Sequence, residues 1–172
     1  MKAVAATLFR PIPFPSLAHL REDGVSRAFT LLRIGFFLLP VLMGIDKFAG
    51  VLNDNWPAYL ASEFNDILPG SAQDAMHGVG VVEIIAGFVV LAVPRFGGLL
   101  VAGWLGGIIL SLVLVGGYGD IALRDFGLLL AALTLFTLAG TQQSDDDGLA
   151  ESVEGRADRT LHPGAASHGA TA

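Results

Sequence analysis

The sequence predicts an all-α membrane protein, folded as a bundle of four transmembrane helices. Of its residues 53% are hydrophobic and only 15% are charged, whereas a soluble domain carries about 25% charged residues. The hydrophobic residues form four long runs, each of about 20 residues and therefore able to cross a ~30 Å hydrocarbon core as a helix. Because the runs are continuous rather than alternating, they favour helices over the strands of a membrane barrel.

The chain divides into three predicted parts. Residues 1–26 are proline-rich, which favours an irregular arm over a cleaved signal segment. Residues 27–140 hold the transmembrane domain, and residues 141–172 are polar and acidic, which is typical of a disordered tail. The four predicted spans lie at about 28–47, 75–93, 96–115 and 121–139.

Basic residues flank the spans unevenly, and this predicts the orientation in the membrane. The side that carries both termini has Lys2, Arg10, Arg21, Arg27 and Arg95. The opposite side has only Lys47 and Arg124. Because Lys and Arg are retained on the cytoplasmic side, we predict an inner (plasma) membrane protein with both termini in the cytoplasm.

The longest predicted loop, residues 48–74, therefore faces outward. Within it, a short amphipathic helix is predicted from Pro57 to Ile67, because proline suits a helix start and the Pro69-Gly70 pair suits a stop.

Composition excludes several classes of function. The chain has no cysteine, which excludes disulfides, iron–sulfur clusters and thiolate zinc sites within it. A net charge of −6, with no basic patch, argues against a nucleic-acid partner. His77 is the single histidine in a predicted span, so no metal site and no covalently bound cofactor is predicted.

Charged and polar residues interrupt the apolar spans, where water is scarce. Eight of them are candidates for a polar cluster or ligand site: Arg33, Asp46, Lys47, His77, Glu83, Asp120, Arg124 and Asp125. A charge at the bilayer centre costs about 2.5–3.5 kcal/mol on insertion scales, so such groups pair with one another or face a wet cavity. Depth along the helices places most of the eight in the outer leaflet, which predicts one polar cluster there.

Partners within this cluster follow from depth and reach. Glu83 lies about 12 Å below the outer boundary, and Arg124 is expected to reach inward to Glu83 or Asp46. Arg33 enters from the opposite side, so its side chain is expected to extend either toward Glu83 or back to the headgroups. Asp120 lies at the rim, where it is expected to cap the start of the fourth span.

Glu83 is the sharpest candidate because small residues share its helix face. Gly80, Ala86 and Gly87 allow another helix to approach closely there, which places the carboxylate inside the bundle. Two interpretations stay open. Glu83 handles protons or orients a ligand, or it forms a structural ion pair that fixes the helix register.

The third span carries two stripes of small residues at four-residue spacing. One stripe is Gly98, Ala102 and Gly106, and the other is Gly103 and Gly107. Such stripes allow tight packing on two neighbours, within one bundle or between protomers.

Three motifs carry a resemblance to a known family. The segments RIGFFLLPVLMGIDKF, GVVEIIAGFVVLAVPRFGGLLVAG and DIALRDFGLLLAALTL resemble the DoxX-like family of small four-helix membrane proteins. The matching positions are Arg33, Gly44, Lys47, Phe48, Glu83, Gly87, Arg95, Arg124 and Asp125. Some relatives are described as the membrane subunit of thiosulfate:quinone oxidoreductase, and others as partners of redox-protective enzymes. The resemblance covers roughly residues 27–140 and implies the four-helix fold and a quinone-linked role.

Three functions remain for the sequence, ranked in this order. The first is a quinone-linked accessory subunit of a membrane redox system, with quinone as the ligand and the catalytic chemistry on a partner. The second is a structural or assembly subunit of a larger membrane complex. The third is a small transporter or channel, which would need a homo-oligomer. No cofactor or nucleophile motif is present, so an enzymatic role would be that of an oxidoreductase subunit.

Overall fold

The computed structural model describes residues 7–60 and 70–161, which contain helices and no strands. Its four long helices, α1 to α4, span Gly24–Ala49, Ala72–Ala92, Pro94–Val115 and Gly119–Leu161. All four are long and apolar enough to cross a membrane, in agreement with the predicted all-α class and its four spans. A six-residue helix, Leu17–Glu22, precedes α1.

Local signals explain where the helices begin and end. Asp23 caps α1 by accepting hydrogen bonds from two backbone N–H groups, and α1 ends at Gly50, whose positive φ of 62° suits glycine. Ser71 and Asp74 form a reciprocal capping box at the start of α2. Val93 alone separates α2 from α3, so these two helices must pack side by side.

The loop between α1 and α2 differs in part from the prediction. A 3-10 helix covers Trp56–Tyr59, with Pro57 in its first turn as proline favours. The remainder of the predicted helix, up to Ile67, falls in 61–69, outside the described residues.

The helices form a closed ring around one core. α1 packs along α2 and α3 along α4, while α2–α3 and α1–α4 contacts close the ring. The core is built from buried apolar residues on all four helices, including Phe36, Ala86, Leu105 and Leu135. The end with residues 7–23, the Val93 turn and α4 beyond Ala139 is called the arm end. The opposite end, with residues 50–71 and the 116–118 turn, is called the loop end.

Glycines set the closest helix contacts. A Cβ added at Gly44 of α1 would lie 2.5 Å from the Gly80 carbonyl oxygen of α2. A Cβ at Gly98 of α3 would lie 3.0 Å from the Ala132 oxygen of α4. Both distances are too short for any larger residue, so these glycines allow the backbones to approach.

Only one of the two predicted stripes on α3 packs inside the chain. Gly98 and Ala102 are buried, and a Cβ on Gly106 would lie 3.9 Å from Leu129 of α4. Around Gly103 and Gly107, no described atom lies within 4 Å of an added Cβ. The second stripe therefore faces out of the bundle.

The acidic segment after Gly140 is helical up to Leu161, where the sequence predicted disorder. A helix that continues from a formed span needs no new nucleus, which removes the main obstacle to helix formation. The segment also binds the arm, since Gln143 Nε2 donates to the Thr7 and Arg10 carbonyls at 3.0 and 3.3 Å. Arg10 forms an ion pair with Asp147.

The arm, predicted to be irregular, packs into the arm end of the bundle. Ile12 is 4% exposed and belongs to the core. Phe9 lies against Phe96 of α3, with ring centroids 4.5 Å apart. These contacts close the arm end even though the arm prolines cannot donate backbone hydrogen bonds.

We expect Gln143→Ala to loosen the arm, because the change removes both bonds to its backbone. Each bond contributes about 0.5–1.5 kcal/mol, so amide hydrogen exchange in residues 7–14 should accelerate roughly tenfold. The matched control is Gln142→Ala, since Gln142 donates to Ser26 rather than to the arm. Equal exchange in the two variants would contradict this role of Gln143.

Candidate functional site

The centre of the candidate site is a buried ion pair between α1 and α2. Lys47 Nζ lies 2.7 Å from Glu83 Oε2, and the two side chains are only 5% and 9% exposed. Each residue follows a contact glycine by three positions, Gly44 before Lys47 and Gly80 before Glu83. The close helix crossing therefore brings the two charges together, on one face of each helix.

Three further side chains complete what we call the Lys47 cluster, defined as Lys47, Trp56, Glu83, Trp104 and Asp125. The Trp56 ring covers the ammonium group, with its centroid 4.1 Å from Nζ. Trp104 of α3 and the half-buried Asp125 of α4 both act electrostatically on Glu83. All four helices and the loop thus contribute to the cluster.

One donor of the Lys47 cluster is unused. Trp104 Nε1 is buried and has no hydrogen-bond partner among the described residues. A buried N–H group without a partner costs about 1–3 kcal/mol, and such groups in folded proteins call for an explanation. An acceptor that enters beside Glu83 would satisfy this donor.

Asp46 holds the loop over the cluster instead of pairing with Arg124. Its carboxylate accepts a hydrogen bond from Trp56 Nε1 at 3.0 Å. It also accepts from the backbone N–H groups of Val51, Leu52 and Asn53. These bonds fold the chain back after α1 and place the Trp56 ring above Lys47.

We expect Asp46→Ala to release this loop. Hydrogen bonds to a charged group contribute about 1.5–3 kcal/mol, so the free energy of unfolding should fall by about that amount. Trp56 fluorescence should shift to longer wavelength as its ring leaves Lys47 and meets water. The control is Asp54→Ala, an exposed carboxylate in the same loop, which should change neither quantity.

His77 and Asp120 lie at the rim of the loop end. The His77 ring stacks on Phe48 with centroids 4.9 Å apart, and its Nε2 lies 2.9 Å from Gln73 Nε2. Asp120 is exposed in the first turn of α4. Both residues therefore border the Lys47 cluster without belonging to it.

Arg124 does not reach inward as the sequence predicted. It is exposed, and in the described part of the chain neither Glu83 nor Asp46 bonds to it. Lys47 occupies the position opposite Glu83, and loop N–H groups occupy Asp46. The repeated spacing, glycine three residues before Lys47 and before Glu83, is the sequence signal that pointed to the correct pair.

Arg33 lies at the arm end, apart from the Lys47 cluster. Its Nε donates to the Leu91 carbonyl at 3.1 Å, near the C-terminus of α2, where a cation is favoured. The guanidinium lies 4.1 Å from the centroid of the Phe14 ring, and the residue is 3% exposed. Thus Arg33 reaches neither Glu83 nor a headgroup, because the arm covers it.

The described ranges, 7–60 and 70–161, contain no group of three His, Asp or Glu side chains able to hold a metal ion. The chemistry available at the loop end is therefore that of a buried ammonium–carboxylate pair, a free indole N–H and a second carboxylate. Such a set can donate hydrogen bonds to a carbonyl and exchange protons.

Comparisons of the chain with protein-family models, with curated proteins and with solved structures found no match. The likeness to the DoxX-like family therefore stands on the three sequence motifs, and the function has to be argued from the Lys47 cluster.

Proposed function

We propose that the protein is an integral inner-membrane protein of DoxX-like type, with both termini cytoplasmic, that serves as a quinone-linked accessory subunit of a redox system. The observation that carries the proposal is the buried Lys47–Glu83 pair with the unpartnered Trp104 N–H beside it. Ionisable groups at membrane depth are expensive to keep, and those that persist are commonly functional.

The cluster offers what a quinone headgroup needs. A quinone carbonyl accepts hydrogen bonds, and Lys47 and Trp104 supply the donors. Reduction to the quinol takes up two electrons and two protons. The electrons would come from the redox centre of a partner protein, and Glu83 would pass protons to the ring oxygens. Asp125 is half-buried beside Glu83 and leads toward the surface of the loop end.

The chain offers a direct reporter for this binding. Its two tryptophans, Trp56 and Trp104, both belong to the Lys47 cluster, and quinones quench indole fluorescence. Titration of the protein in nanodiscs with ubiquinone or menaquinone should give saturable quenching. In Lys47→Met and Glu83→Gln, affinity should fall by about tenfold or more, equivalent to about 1.4 kcal/mol.

The control for this titration is Arg124→Gln, which removes an exposed charge near the same end of the bundle and should leave the quenching curve unchanged. Quinones also dissolve in the bilayer and quench by collision, which adds a linear component common to all variants. Linear quenching alone in the wild-type protein would contradict the proposal.

A second function is favoured by a separate observation. Beyond Ala139, α4 continues to Leu161, which at ~1.5 Å per residue adds about 33 Å of helix. Leu149 and Val153 are exposed on it, at 65% and 67%. This projecting helix supports an assembly role, in which another subunit of the complex docks. Crosslinking in native membranes should capture that subunit through residues 145–157, whereas a lone, partner-free oligomer would count against the assembly role.

A further inference from the structure

A groove of about 480 Å³ opens between the start of α3 and α4 at the arm end. It is lined by Arg95, Phe136, Thr137, Gly140, Thr141 and Ser144. One cation, one aromatic ring and three hydroxyl groups therefore surround it, and no carboxylate of the described chain lines it. It lies far from the Lys47 cluster, at the opposite end of the bundle.

The positive charge of Arg95 is not neutralised by the chain. Its Nη1 donates to the neutral amide oxygen of Gln143 at 3.0 Å, and its guanidinium lies 5.5 Å from the Phe136 ring centroid. Its Nε is buried and has no hydrogen-bond partner within the described ranges. Arg10, at the same end, pairs instead with Asp147. Arg95 thus keeps both a full charge and a free donor for an external anion.

The groove also has the depth and shape of a lipid headgroup site. Arg95 is the second residue of α3, and the lining residues of α4 begin three positions before Gly140, where the apolar span gives way to polar sequence. Thr137, Thr141 and Ser144 repeat at helical spacing along one face of α4. Their hydroxyls now donate to carbonyls of α4 and can rotate toward a bound oxygen.

We propose that this groove binds the phosphate of an anionic phospholipid, with Arg95 as its cation and Phe136 against the glycerol and upper acyl chain. The lipid phosphate diester satisfies the Nε donor and uses the charge that Gln143 leaves uncompensated. A basic pocket between transmembrane helices is the setting in which anionic headgroups are held. This proposal does not depend on the quinone-linked role.

The test is native mass spectrometry of the full chain in detergent, with phosphatidylglycerol or phosphatidylcholine added at equal concentration. The wild-type protein should retain one phosphatidylglycerol at least about fivefold more often than phosphatidylcholine, roughly 1 kcal/mol. Arg95→Gln should abolish this preference. Gly140→Leu should also abolish it while leaving the charge intact, because an added Cβ there lies 3.6 Å from the Arg95 guanidinium carbon and the rest of the leucine fills the groove.

The control variant is Arg124→Gln, which removes an exposed arginine from the loop end and should keep the preference. Circular dichroism checks the fold of each variant, and Gly140→Leu decides the matter if Arg95→Gln does not fold. Equal retention of the two lipids by the wild-type protein would overturn the proposal. So would equal thermal stabilisation by inorganic phosphate alone, since the groove would then be a site for free phosphate.

Discussion

Replacing Lys47 with methionine is expected to lower the free energy of unfolding by about 3–5 kcal/mol, because it leaves Glu83 buried without its counter-charge. Glu83 is 7% exposed and lies among helices, so water cannot take the place of the ammonium group. The chain must then protonate Glu83 or open the α1–α2 contact. Reversible unfolding in mixed micelles, followed by circular dichroism, measures the loss.

The double variant Lys47→Met/Glu83→Gln separates the pair from the loss of a single side chain. With both charges gone, most of the stability should return, because a buried pair often contributes little beyond its neutral replacement. The matched control, Arg124→Met, concerns an exposed residue at the same end and should stay within about 0.5 kcal/mol. Additive losses from the two single changes would show that Lys47 and Glu83 are not coupled.

Gly44→Ala is expected to give the second large effect, through packing alone. Its new Cβ would lie 2.5 Å from the Gly80 oxygen and 2.8 Å from Ile84 Cγ1, so α1 and α2 must separate. Overpacking of this kind costs about 1–3 kcal/mol and sometimes more. Because Lys47 lies three residues further along α1, separation of the helices should also weaken the bond to Glu83.

The same substitution elsewhere on α1 provides the control. Gly35 has no described atom within 4 Å of an added Cβ, so Gly35→Ala should be neutral or stabilise the helix by up to about 1 kcal/mol, through helix propensity. The difference between the two alanine variants isolates the contact with α2. Equal thermal unfolding temperatures for both would mean that the crossing at Gly44 does not limit stability.

Most of the fold was predictable because hydrophobic runs of span length leave few alternatives. The helices begin two to four residues before the predicted spans, as capping residues such as Asp23 and Ser71 extend them. The helical course of 141–161 was not predictable from composition, because acidic polar sequence lacks the apolar surface that signals order. Its order comes from continuity with α4 and from contacts to the arm, such as Gln143 to Thr7.

The site was predictable in depth but not in pairing. Counting residues along each helix gives height in the membrane, which brought Lys47, Glu83 and Asp125 to one level. The rotation of each helix decides which side chains meet, and it follows from the glycine contacts at Gly44 and Gly80. Arg124 was therefore placed at the right height with the wrong partner. Trp104, interpreted from sequence as packing, became a site residue only through its unpartnered N–H.

The central claim, that the Lys47 cluster holds a quinone, is tested most directly by photoaffinity labelling. A quinone with a photoreactive group on its headgroup is irradiated with the protein in nanodiscs, and labelled peptides are identified by mass spectrometry. The account predicts labels on the segments around Lys47–Trp56, Glu83 and Trp104, removed by excess ubiquinone or menaquinone and lost in Glu83→Gln. Labels spread over the lipid-facing surfaces of all four helices, unaffected by competitor or by Glu83→Gln, would contradict it.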